Sequence, residues 1–135
     1  MRKDRFFNIL AILLVVVAVL QIGGLYFEIY KQIEWWDTMT HFLGGAWIGG
    51  MALWFLFRKK DALPAATSAI LISLVAAFAI GLGWELYEFV VVKILGPAFP
   101  IDYVSDTITD LVADSAGGLP AAFLFLELQR KCKTV

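Results

Sequence analysis

The chain has 135 residues, of which 61% are hydrophobic, and its 11 basic and 12 acidic side chains leave a net charge of −1. With a mean hydropathy of +0.80, it is too apolar for a soluble globular domain, and its long apolar runs call for a bilayer instead. A single cysteine, Cys132, excludes an intrachain disulfide, and no stretch has the pattern of a nucleic-acid reader.

The length predicts one domain spanning 1–135. Met1 to Arg5 is a basic start, and Phe6 to Leu20 is an apolar run. The two together look like a secretory leader, but no small-x-small cleavage site follows Ala18, and three further apolar segments come after. A retained first helix over about 6–27 is the expectation. The valines Val15 to Val17 are compatible with it, because a helix pairs its own backbone groups in lipid. Tyr26 and Tyr30 mark the far interface, and Trp35 and Trp36 continue that aromatic belt. The polar stretch Glu28 to Trp36 predicts an interfacial loop or half-helix.

A second helix is expected over about 38–57, capped by Asp37 or Thr38. Its middle carries Gly45-x-x-x-Gly49, a spacing that lets two helix backbones approach closely. Arg58, Lys59, Lys60 and Asp61 form a charged turn, and Pro64 suits the first turn of a third helix over about 63–95. At 1.5 Å per residue that helix is nearly 50 Å long, against a hydrocarbon core of about 30 Å, so it must tilt, bend or protrude. Gly81 and Gly83 are the expected places for a bend, and Gly96 with Pro97 ends it. The fourth helix is expected over about 105–128, with Pro120 as a kink. It places Ala113, Gly117 and Ala121 on a small-residue face.

The basic residues predict orientation. Arg2, Lys3 and Arg5 precede the first helix, Arg58 to Lys60 separate the second from the third, and Arg130, Lys131 and Lys133 follow the fourth. In an up-down arrangement all of these fall on one side, and only Lys31 and Lys93 on the other. An all-α integral membrane four-helix bundle with both termini cytoplasmic is the expected fold. Most acidic residues crowd the opposite, outer half: Glu28, Glu34, Asp37, Glu85, Glu88, Asp102, Asp106, Asp110 and Asp114.

Seven residues form the candidate site. Asp37 and His41 lie one turn apart on the second helix, Glu85 and Glu88 share a face of the third, and Asp106, Asp110 and Asp114 recur every four residues on the fourth. Asp114 is about 12 Å along the helix from Asp106. Carboxylates crowded at low dielectric cannot all ionise unless protons or a cation neutralise them. Carboxylates with one imidazole suit a divalent Mg, Mn, Fe or Zn ion, and facing helices of a bundle are a place where such sites are built. Simpler roles exist for some of these residues and for the other outer acidic ones. Asp37 serves as an N-cap, Asp106 as a charge favouring the helix dipole, His41 as a satisfied interfacial histidine, and Asp102, Glu34 and Glu28 as solvated loop charges. Asp110 and Asp114 fit none of these.

These motifs resemble the VanZ-like superfamily, and within it the YjdF-type bacterial inner-membrane proteins. The likeness lies in Asp37-x-x-x-His41-Phe42 with Gly44, in Glu85-x-x-Glu88, and in Asp106-Thr107-x-x-Asp110 followed by Gly117 and Gly118. Asp114 stands where those proteins carry Asn, and the VanZ arginine between the last two helices has no counterpart. YjdF-type proteins are longer, so the resemblance implies a minimal version. It implies a multi-pass protein of a bacterial inner membrane and brings no reaction with it. The functional expectation is an outer-leaflet carboxylate–histidine site that binds a divalent cation and acts on a lipid or cell-envelope component. The rival expectation is a non-catalytic cation-, proton- or lipid-binding protein, a sensor or assembly partner, whose carboxylates are structural glue between helices.

Overall fold

The computed structural model describes residues 2–59, 64–96 and 103–130. Four helices account for nearly all of them: α1 (Arg2–Tyr26), α2 (Trp35–Phe57), α3 (Ala66–Leu95) and α4 (Tyr103–Arg130). All four are long and apolar enough to cross a membrane, and no strand occurs among the described residues. The protein is a multi-pass, all-α membrane protein.

Several boundaries differ from expectation. α2 starts at Trp35, so Asp37 lies inside its first turn and is not the cap; Glu34, in helical conformation and without a side-chain capping bond, takes that place. Trp35 and Trp36 are therefore helical, because an interfacial tryptophan can sit in a helix as readily as in a loop. Between α1 and α2 the chain turns through Glu28, which adopts a left-handed backbone (φ 54°), and a 3₁₀ turn at Ile29–Lys31. The Lys31 ammonium pairs with Glu28 at 2.9 Å on the exposed side of that turn. Pro64 precedes α3 instead of joining its first turn, and the amide of Ala69 bonds to the Ala65 carbonyl. α4 runs unbroken through Pro120. The end of the charged turn at Lys60 and Asp61, the expected helix start at Leu63, and the connection from Pro97 through Asp102 lie outside the described residues.

α2 and α4 make the most extensive pairing in the bundle, and α3 packs on both. The reason is small residues at the crossing. A Cβ on Gly45 would strike the backbone of Asp114, and one on Gly117 would strike the Phe42 carbonyl and the Ala46 amide. A Cβ on Gly49 would collide with Ser73 of α3 and crowd Gly118. Ser73 in turn donates a 2.7 Å hydrogen bond to the Gly118 carbonyl. With no solvent to drive helices together in lipid, such close backbone approach and buried polar bonds supply the association.

The bundle has two unlike ends. At one, Phe6, Leu10, Leu53, Ala122, Phe125 and Leu126 form an apolar core, with the Phe6 and Phe125 rings edge-to-face at 5.3 Å. At the other, the end of α1, the start of α2, the far half of α3 and the start of α4 bring the charged residues together. α1 leans on α2 and reaches α4, but none of its described Cα atoms comes within 8 Å of one in α3. Much of its outer surface, including Ile12, Val15, Val19 and Ile22, is exposed, as a lipid-facing helix requires.

Candidate functional site

His41 is the hub. It lies on α2 one turn after Asp37, and its side chain is buried. Its Nδ1 is 3.2 Å from Asp114 Oδ2 on α4. Its Nε2 faces two other carboxylates, Asp37 Oδ1 at 3.7 Å and Glu85 Oε1 at 4.0 Å. Asp114 reaches the ring because of two glycines. Gly45 lets its backbone close on α2, and a Cβ on Gly81 would occupy the place of its carboxylate. Gly81, expected as a bend, thus acts by making room.

Glu85 is 4% exposed and Asp110 is 2% exposed. Glu85 Oε2 accepts a 2.9 Å hydrogen bond from Thr107, and the Glu85 carbonyl accepts one from Tyr103 at 3.3 Å. Glu85 Oε1 and Asp110 Oδ1, by contrast, are buried with no hydrogen-bond partner. Unpaired buried carboxylate oxygens are rare and costly, and they require an explanation. The donor atoms of Asp37, His41 and Asp110 lie within 4.8 Å of one another, a group able to hold a metal ion. Two donors on opposite sides of one divalent ion stand about 4–5 Å apart, given metal–ligand distances of 2.0–2.6 Å.

The structure thus brings together Asp37, His41, Glu85, Asp110 and Asp114 from three helices. Glu88 is half-buried one turn beyond Glu85. Asp106 is exposed in the first turn of α4 and makes no hydrogen bond or ion pair among the described residues. The four-residue spacing accounts for this. Each such step advances 400° around the helix, so Asp106 sits about 80° from Asp114. The stripe that packs inward is Thr107, Asp110, Asp114, Gly117 and Ala121, a mixed three-and-four spacing. That pattern was present in the sequence, and it would have added Thr107 to the site.

A cleft of about 340 Å³ opens beside the hub. Val17 and Ala18 of α1, Trp47 and Ile48 of α2, and Ile80 and Trp84 of α3 wall it, and His41 and Asp114 form its polar end. Gln21 also lines it and accepts a hydrogen bond from the Tyr30 hydroxyl. Burial holds the Tyr30 phenol above its ordinary pKa, so at neutral pH it keeps the proton it donates.

No solved structure matches the chain. It is 29% identical over 94 residues to an uncharacterized protein of Thermotoga maritima, a stretch covering 70% of this chain and 49% of that protein. The chain therefore spans about half the length of this relative. The model of the family described as "Predicted membrane protein (DUF2238)" matches residues 1–131, covering all four helices and every residue of the site, and the chain belongs to that family.

Proposed function

We propose that this protein holds a divalent cation inside the membrane, on Asp37, His41, Glu85 and Asp110, and that it uses the cation to act on a lipid or cell-envelope component. The supporting observation is the pair of orphaned oxygens, Asp110 Oδ1 and Glu85 Oε1, on side chains at least nine-tenths buried in the same cluster. A cation supplies the partner that the protein does not. With Nδ1 donating to Asp114, His41 directs the lone pair of Nε2 at two carboxylates, an arrangement that repels unless positive charge lies between them. Asp114 then fixes the imidazole as carboxylates do for metal-bound histidines. The oxygen and nitrogen donors suit Mg, Mn, Fe or Zn.

A proton in place of the metal is the second reading. A doubly protonated His41 facing Asp37, Asp114 and Glu85 would make the cluster glue between α2, α3 and α4, and the Thr107–Glu85 bond fits that role too. This reading makes the protein non-catalytic. Metal content decides between them. Purified wild type should carry about one equivalent of metal per site after dialysis, as tight structural binding implies, and Asp110→Asn should carry none while remaining folded. No metal in either protein refutes the cation, and equal metal content in the two refutes ligation by Asp110.

The orientation follows from the basic residues: the apolar Phe6–Phe125 end in the cytoplasm, the acidic end in the outer leaflet of a bacterial-type inner membrane. The order Asp37-x-x-x-His41, Glu85-x-x-Glu88, Asp106-Thr107-x-x-Asp110 supports a kinship with the VanZ-like and YjdF-type proteins.

A further inference from the structure

We propose that the cleft between α1, α2 and α3 holds one hydrocarbon chain of a phospholipid that enters sideways from the bilayer, with its phosphate at the His41–Asp114 end. The assignment of the phosphate rests on the cation reading above; the assignment of the chain rests on the cleft alone.

Three observations carry it. The first is the gap. Described α1 and α3 residues come no closer than 8 Å between Cα atoms, and the cleft-lining Leu14, Ile80 and Trp84 between them are exposed, so the cleft is open on one side at membrane depth. The second is the lining. The walls are Val17, Ala18, Trp47, Ile48, Ile80 and Trp84, all apolar or aromatic, and the volume of about 340 Å³ is that of a ligand site, which typically runs about 300–1,000 Å³. On α2 the cleft extends from Thr40 to Ile48, about 12 Å along the axis at 1.5 Å per residue. The third is continuity with the acidic cluster. His41 belongs to both, lining the cleft while its Nε2 faces Asp37 and Glu85.

An occupant must therefore be apolar over most of its length and polar at one end, and it must arrive from the hydrocarbon phase. Membrane lipids meet all three conditions. The charge of the polar end follows from the cation. Carboxylates alone would repel a phosphate, but an ion held by a few carboxylates keeps coordination positions that phosphate oxygens commonly take. No arginine lies among the residues of the cluster, so the ion is what would attract the anion.

Gly44 supplies the test. It lines the cleft, and a Cβ built on it meets nothing within 4 Å, so Gly44→Leu fills the cleft without disturbing the helix crossing. Gly83 is equally open but does not line the cleft, so Gly83→Leu is the control. Ala18→Phe fills the cleft from the opposite wall in case Gly44→Leu folds poorly. Each protein is titrated in detergent with dioleoylphosphatidylglycerol, or with dioleoylglycerol, which lacks phosphate, and bound lipid is counted by native mass spectrometry. Wild type and Gly83→Leu should retain one phosphatidylglycerol; Gly44→Leu and Ala18→Phe should bind it at least about tenfold more weakly, a loss of about 1.4 kcal/mol. Added Mn²⁺ should raise the preference for phosphatidylglycerol over dioleoylglycerol in wild type and not in Asp110→Asn. Retention unchanged in both cleft variants, or lost equally in Gly83→Leu, overturns the chain site whatever the metal result. One-lipid retention that shows no preference for phosphate with Mn²⁺ overturns the head assignment, and if wild type also fails to bind Mn²⁺ the fault lies in the cation reading, not in the cleft.

Discussion

At His41 the two ring nitrogens face different company, Asp114 on one side and the pair Asp37 and Glu85 on the other. Under the cation reading, that asymmetry would give Asp114 and Asp110 separable roles. Asp110 would lose a ligand oxygen on replacement by Asn, whereas Asp114 would lose only its hold on the ring. Asp114→Asn should therefore weaken metal binding about 10–100-fold without abolishing it, the usual effect of removing the partner that orients a ligating histidine. Isothermal titration with Mn²⁺ or Zn²⁺ measures this, and unchanged affinity would assign Asp114 to packing alone. The pH dependence has a defined sign. Protons compete with metal for the imidazole and the carboxylates, so metal-induced stabilisation is full at higher pH and declines as pH falls. At a hundredfold excess over Kd it is about 2.7 kcal/mol for wild type. A melt in detergent whose metal response grows on acidification contradicts direct ligation. Asp37, His41, Asp110 and Asp114 could be picked from the sequence because charge inside an apolar helix is costly and seldom incidental. Thr107 carries no such penalty, so only its place on the three-and-four stripe with Asp110 and Asp114 marked it.

At the scale of elements, the small residues of α2 and α4 determine which helices touch. The sequence showed Gly45, Gly49, Ala113, Gly117 and Ala121 as two small-residue faces, but not that they face each other. That needed the backbone positions, because the same motif serves any close helix pair. Replacing Gly117 with Leu drives a side chain into the Phe42 carbonyl and the Ala46 amide, atoms that cannot swing aside. The loss should be at least about 1–3 kcal/mol, the scale of overpacking in a core. Gly83→Leu, with open space around it, should stay near wild type. Unfolding by denaturing detergent compares the two, and equal stabilities would show that the α2–α4 crossing is looser than described. The start of α2 was misplaced by two or three residues for a related reason. Polar residues from Glu28 to Glu34 hide the onset, and Trp35 and Trp36 serve an interface equally well in a helix or in a loop.

For the whole molecule, the arrangement separates an apolar core around Phe6 and Phe125 from a polar cluster at the opposite end. Hydropathy alone placed the four spans, since each carries an apolar run long enough for a bilayer. The gap between α1 and α3 left no such trace, because a lipid-facing and a cleft-facing side chain are both apolar. Orientation is testable without purification. A phosphatase reporter inserted near Pro97 should be active outside the cytoplasm, and a fluorescent or galactosidase reporter fused after Val135 should be active inside. The reverse pattern would move the acidic cluster to the inner leaflet.

α2 and α4 are the closest partners in space, yet α3 lies between them in the chain. During synthesis, α2 reaches the bilayer first and carries Asp37 and His41 there before Asp110 and Asp114 exist. Glu85 follows on α3, still without Thr107 to donate to it. The nascent protein thus passes through a stage in which His41 lacks Asp114 on its Nδ1 and Glu85 lacks the Thr107 hydroxyl, an expensive state for ionisable side chains in the membrane. Only α4 ends it, so insertion of α4 and completion of the polar cluster are a single event. A chain stopped after Leu95 should therefore be cleared rapidly by membrane quality control, and pulse-chase labelling should show a shorter half-life than for the full chain. Half-lives that match would mean that α4 is dispensable for retention of the first three helices.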